Sequence, residues 1–162
     1  MFIVGLPRSR TAWLSVFMSQ SKTYFHHEAI NGCYSIREYK DKITNCGDST
    51  TAINECSEEM VNSKVVIIKK DKKEISELIS WCDKEYAINS KNMIEEMDLS
   101  LEKIKGLIIK QSDIDSRLKD IWEYLVNDEW HDKYADMTKF NIQVKDTSID
   151  EIAAKALYET LQ

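Results

Sequence analysis

Two arginines bracket a serine in the run Gly5-Leu6-Pro7-Arg8-Ser9-Arg10-Thr11, directly after the apolar Phe2-Ile3-Val4 and directly before a helical pattern. A strand-to-helix turn of this kind leaves the first N–H groups of the helix without intrahelical partners, and the helix dipole adds partial positive charge to them. Phosphate and sulfate suit that environment. Ser9 and Thr11 bring hydroxyl donors, and Arg8 and Arg10 bring planar forks for two-point contact with anion oxygens. The chain holds four arginines, and two of them stand in this turn. The spacing approaches a Walker loop but has Arg10 where its second glycine belongs and Thr11 where its lysine belongs, which argues against phosphoryl transfer by the Walker route.

Two further groups carry chemistry. His26-His27-Glu28 follows a short aromatic run, and His and Glu are the residue types that take a proton from an attacking hydroxyl or amine. Neighbouring strand residues point to opposite faces, so both histidines cannot face one cleft while the strand continues, and His26 is read as a packing or surface residue. Lys69 and Lys70 end the run Val65-Val66-Ile67-Ile68 and set positive charge at a third strand end, although a lysine run is by default a solvated face. Asp48 and Ser49 are read as a helix cap in preference to ligand contacts, and His131 beside Trp130 as packing and surface.

The elements that must position these groups are an alternation of strands and helices. Phe2 to Val4 reads as a strand, and Trp13, Leu14, Phe17 and Met18 recur at helical spacing after it. Residues 23 to 26 read as a second strand, and Ser35 with Glu38 forms a capping box that opens a helix from Ile36 to Ile43. Four consecutive β-branched residues from Val65 mark a strand buried on both faces, and Asp71 with Glu74 opens the next helix, with Ile75, Leu78, Ile79 and Cys82 on one side. Residues 84 to 105 read as a more polar helix, followed by the strand Leu107 to Lys110. Asp115 is expected to cap a helix with Leu118, Ile121, Trp122, Leu125 and Val126 in its stripe. Residues 140 to 144 read as an edge strand, and Ser148 with Glu151 opens a last helix carrying Ile149, Ile152, Ala153, Ala156 and Leu157. The alternation predicts an α/β domain with a parallel sheet of about four to five strands between helices on both faces, a three-layer sandwich. In such sheets ligands bind beyond the carboxyl ends of the strands, where the three groups above fall.

Composition narrows the function. At 162 residues, 43% hydrophobic and 31% charged, the chain is sized for a single domain over residues 1–162. A net charge of −6 argues against a generic nucleic-acid binder, so an anionic ligand must be held by a local site. No apolar run approaches membrane-spanning length, and the first ten residues lack a basic segment followed by a long apolar one, so no membrane partner is expected and a cytoplasmic location is. Cys33, Cys46, Cys56 and Cys82 show no Cys-x-x-Cys spacing and are read as free thiols.

The stretch from Gly5 to Leu14 resembles the 5′-phosphosulfate loop of sulfotransferases that use 3′-phosphoadenosine 5′-phosphosulfate (PAPS). That loop runs Pro, Lys or Arg, Ser, Gly, Thr, Thr, Trp, Leu. Pro7, Arg8, Ser9, Thr11, Trp13 and Leu14 agree with it, Arg10 replaces the glycine, and Ala12 replaces a threonine. The Pro-Arg-Ser-Arg-Thr-Ala-Trp-Leu variant is similar to short bacterial and phage-type members of the family. The resemblance covers the first half of the chain with specificity and implies a P-loop (sulfotransferase-like) core, PAPS as co-substrate, and no metal. It implies Glu28 or His27, in that order, as the base, and Arg8 as the group that stabilises the transferring sulfuryl. Donor contacts would come from Pro7, Arg8, Ser9, Arg10, Thr11 and Ala12 in the loop. The family's 3′-phosphate arginine falls on Lys70, or on Lys69 with a one-residue slip. The position of its helix serine is taken here by Leu78, with Ser76 and Ser80 to either side. The acceptor, small molecule or polymer, carries no readable motif.

A second reading is a non-catalytic module of the same architecture that binds a nucleotide or phosphometabolite. A metal-dependent kinase or NTPase is third, weakened by the absent Walker lysine and by the lysines ahead of Asp71.

Overall fold

A computed structural model describes residues 1–139. Five strands, β1 (Phe2–Gly5), β2 (Phe25–His27), β3 (Gly47–Thr50), β4 (Val65–Lys69) and β5 (Leu107–Lys110), form one sheet in the order β2-β3-β1-β4-β5. Every neighbouring pair is parallel, and Val4 stands between Thr50 on one side and Ile67 on the other. The helices are α1 (Thr11–Met18), α2 (Ile36–Lys42), α3 (Ser57–Met60), α4 (Lys72–Tyr86), α5 (Lys91–Lys103) and α6 (Leu118–Leu125).

Strand alternation divides the apolar residues between two cores. Ile3, Val66, Ile68 and Ile109 face α1 and α6, where Phe17 and Trp122 pack edge to face at 5.8 Å. Phe2, Val4, Val65 and Ile67 face the other way, against Tyr39 of α2, Met60 of α3, Leu78 and Cys82 of α4, and Ile94 and Leu101 of α5. The crossover from β1 to β2 therefore lies on one face, while the three that run in the opposite direction across the sheet lie on the other, as a single crossover hand requires. The result is the expected α/β architecture with helices on both faces. Among the described residues no helix is long and apolar enough to cross a membrane.

Four local expectations are corrected. The second strand is Phe25–His27, starting two residues and ending one residue later than the expected 23 to 26, because Ser19 Oγ accepts from Phe25 N–H at 3.0 Å and holds the chain in a turn up to that point. Asp48 and Ser49 are not a cap but the middle of β3, a buried strand with no large apolar side chain. The helix over residues 84 to 105 is two helices, since Ala87 turns left-handed at φ 52° and Ser90 binds back to Asp83. Asp115 does not cap α6, which starts at Leu118; its carboxylate instead pairs with Arg10 at 2.8 Å. The strand at 140 to 144 and the helix after Ser148 lie outside the described residues.

Candidate functional site

The carboxyl edge of the sheet lines up, in strand order, Glu28 after β2, Thr50 and Thr51 at the end of β3, the Gly5–Thr11 turn after β1, Lys70 after β4 and Gln111 after β5. With strands about 4.8 Å apart, the outermost of these backbones stand roughly 19 Å from each other.

The β1–α1 turn is tightly folded. Ser9 N–H donates to Leu6 carbonyl at 3.1 Å, and Gly5 is needed because a Cβ there would meet Ser9 Cβ at 2.9 Å and Ile68 Cβ at 3.2 Å. Arg8 and Arg10 both take left-handed backbone, at φ 61° and 62°. Each such residue costs about 1–2 kcal/mol when it is not glycine, so two of them at one turn are strain stored at a ligand-sized backbone feature. Left-handed residues alternating in a turn direct successive N–H groups to one side, as in anion-binding nests. No side chain caps α1, whose N-cap is Arg10. Among the described residues the Ser9 hydroxyl is fully buried and has no hydrogen-bond partner. Thr11 is buried, its carbonyl accepting from Ser49 Oγ at 2.7 Å, while Pro7 and Ala12 are half-buried.

The cations divide unevenly. Lys70 Nζ donates to the Arg8 carbonyl at 3.2 Å and to Gln111 Oε1, which lays its ammonium against the turn. Burial lowers the Lys70 pKa, Glu74 opposes that shift, and the Arg8 charge adds to it. Lys69 points to the opposite face and pairs with Asp98 of α5 at 3.3 Å. The structure thus brings Lys70, and not Lys69, to the turn. The Arg8 guanidinium lies over the Trp81 ring at 4.5 Å, and that of Arg10 lies over Trp13 at 4.3 Å while pairing with Asp115. Ser76 is exposed on α4, and among the described residues nothing ties it to the turn.

Glu28 follows the last residue of β2 with φ 52°, a second strained point on the same edge. Its backbone is pinned by N–H to Ser49 carbonyl at 3.1 Å, and its own carbonyl accepts from Asn31 N–H at 2.9 Å. The side chain reaches one strand inward: Oε2 accepts from Thr50 Oγ1 and Oε1 from Thr51 N–H, both at 2.7 Å. Each carboxylate oxygen keeps a lone pair beyond those bonds, so the group can still accept a proton. His27 Nδ1 lies 3.0 Å from Ser49 carbonyl, and His26 packs edge-on to Tyr24 at 4.8 Å.

Beneath this edge Asp48 is wholly buried. Its Oδ1 accepts from Ala29 N–H at 3.1 Å and its Oδ2 from Tyr39 hydroxyl at 2.9 Å. Burial pushes the Asp48 carboxyl up to about 6, the bonds from Ala29 and Tyr39 pull it back, and the Glu28 charge adds to the rise. Burial and Asp48 together raise Tyr39, and burial raises the Cys56 thiol beside it to about 11.

Sequence reasoning missed Thr50, Thr51, Gln111, Tyr39 and the role of Asp48. Gln111 was within reach of the strand-end rule, since it follows Leu107-Ile108-Ile109-Lys110 as Lys70 follows Val65 to Lys69. The residues of β3 carried no apolar signal. Two cavities, of about 600 and 540 Å³, open elsewhere, beside residues that precede β1 and β3 and residues that precede β4 and β5. Among the described residues no three His, Cys, Asp or Glu side chains gather as a metal site. Comparison with protein-family models, with curated proteins and with solved structures finds no match.

Proposed function

We propose that this protein is a sulfotransferase-like P-loop protein that binds PAPS at the β1–α1 turn and directs its sulfuryl group to a hydroxyl or amine acceptor. The observation that carries the reading is the Ser9 hydroxyl, buried and unpartnered among the described residues in a doubly left-handed turn before an uncapped helix. A buried hydroxyl without a partner costs about 1–3 kcal/mol, and an anion oxygen is the partner this turn favours. When bound, the donor supplies an activated sulfuryl group. The turn's N–H groups, Ser9 Oγ and Thr11 Oγ1 would hold its phosphosulfate oxygens, and Lys70 Nζ would add charge from the neighbouring strand. On the other side of the turn Glu28, held by Thr50 and Thr51 one strand spacing from β1, would take the proton from the acceptor, with His27 beside it. Arg8 would leave Trp81 to reach the transferring group.

A second reading, a module that binds a nucleotide or phosphometabolite without turnover, draws on the engagement of both arginines with tryptophan rings and on the exposed Ser76. Glu28→Gln separates the two. Donor consumption across a panel of hydroxyl and amine acceptors is expected to fall about 100-fold or more, the share general-base catalysis contributes. Calorimetric binding of 3′-phosphoadenosine 5′-phosphate should meanwhile stay at its wild-type strength. Wild-type protein that binds the bisphosphate but turns over no acceptor would establish the module instead.

A further inference from the structure

The Asp48 carboxylate occupies a place where an uncharged side chain would suit the fold better. It stands in a strand buried on both sides, and both of its oxygens are spent on groups of the β2–α2 segment, Ala29 N–H and Tyr39 hydroxyl. Ala29 immediately follows Glu28, whose left-handed backbone needs fixing from both directions. On the strand side the fix is Glu28 N–H to Ser49 carbonyl; on the far side it is Asp48.

Resting on the reading of Glu28 as the base, we propose that Asp48 is its positioning residue: bound to Ala29 and Tyr39, it fixes the strained backbone at Glu28 and so holds the Glu28 carboxylate against Thr50 and Thr51. Charge on Asp48 strengthens the bond from Ala29 N–H, because an ionised acceptor binds a donor more tightly than a neutral one. Protonation of Asp48 loosens that bond and, with it, the grip on Glu28. The groups facing Asp48 are Glu28 and His27 from the end of β2, Tyr39 from α2, Cys56 ahead of α3, and the Met1 amino group ahead of β1.

Backbone amide shifts measured by NMR against pH test this without any ligand. Ala29 N–H reports on Asp48, and Thr51 N–H reports on the Glu28 carboxylate it binds. Wild type is expected to show one step near pH 6 at both amides, since Asp48 titrates at about 6. Asp48→Asn, which keeps the shape and removes the charge, abolishes the step at both. Tyr39→Phe removes a bond that favours ionised Asp48, so it moves the shared step to higher pH; it serves if Asp48→Asn does not fold. A step at Ala29 alone would make Asp48 merely structural, and a Thr51 step that survives Asp48→Asn would not come from Asp48; either overturns the proposal. Bisphosphate binding, measured separately on wild type, keeps the outcomes apart. Binding without the shared step sinks this inference alone, and the shared step without binding sinks the donor reading while Asp48 still positions Glu28.

Discussion

A buried aspartate that titrates near neutrality leaves a signature in stability. Burial, opposed by the bonds from Ala29 and Tyr39, lifts Asp48 from its ordinary 3.8 to about 6 in the folded protein. Between those values the native carboxyl holds a proton that the unfolded one has released, so stability contributed by this group is greatest below 3.8 and falls as pH rises through 6. The whole effect amounts to about 3 kcal/mol. Asp48→Asn should therefore gain on wild type by up to that amount between pH 4 and pH 7 in urea unfolding. A constant difference between the two proteins across that range would show that Asp48 is not desolvated. Retaining such a carboxylate at a loss in stability fits a role in holding Glu28.

At the scale of elements, legibility followed the apolar signal. β1, β4 and β5 were readable because buried parallel strands are written in β-branched and aliphatic residues, and Ile3, Val66 and Ile109 are all in the core they should occupy. β3 was not readable, because Gly-Asp-Ser-Thr carries no such signal. It is a strand because its polar side chains are all bound within the fold, Asp48 to Ala29 and Tyr39, Ser49 to Thr11, Thr50 to Glu28. The site followed the same rule. The turn and Lys70 could be found from strand ends, whereas Thr50 and Thr51 could not, and Asp115 mimicked a helix cap while serving Arg10. The capping box of α4 was legible and is complete, with Asp71 accepting from Glu74 N–H at 2.8 Å and Glu74 accepting from Asp71 N–H at 2.7 Å. Asp71→Ala is expected to cost about 1 kcal/mol in thermal unfolding, and an unchanged midpoint would mean that α4 is held by its apolar face alone.

For the molecule as a whole, an acidic chain of net charge −6 concentrates Arg8, Arg10 and Lys70 at one end of its sheet, where the α1 N-terminus also points its partial charge. A net negative charge offers an anionic donor little long-range attraction, so under the proposed function the local turn would have to hold it. The most direct test is calorimetric titration of wild type and Ser9→Ala with 3′-phosphoadenosine 5′-phosphate, with magnesium ATP as the control. Expected are micromolar binding of the bisphosphate, little binding of ATP, and about tenfold or greater weakening in Ser9→Ala, the effect of one lost bond to a charged oxygen, with no loss of thermal stability because that hydroxyl has no partner among the described residues. Absence of bisphosphate binding by wild type, or equal binding by Ser9→Ala, would contradict the claim that this turn holds the donor.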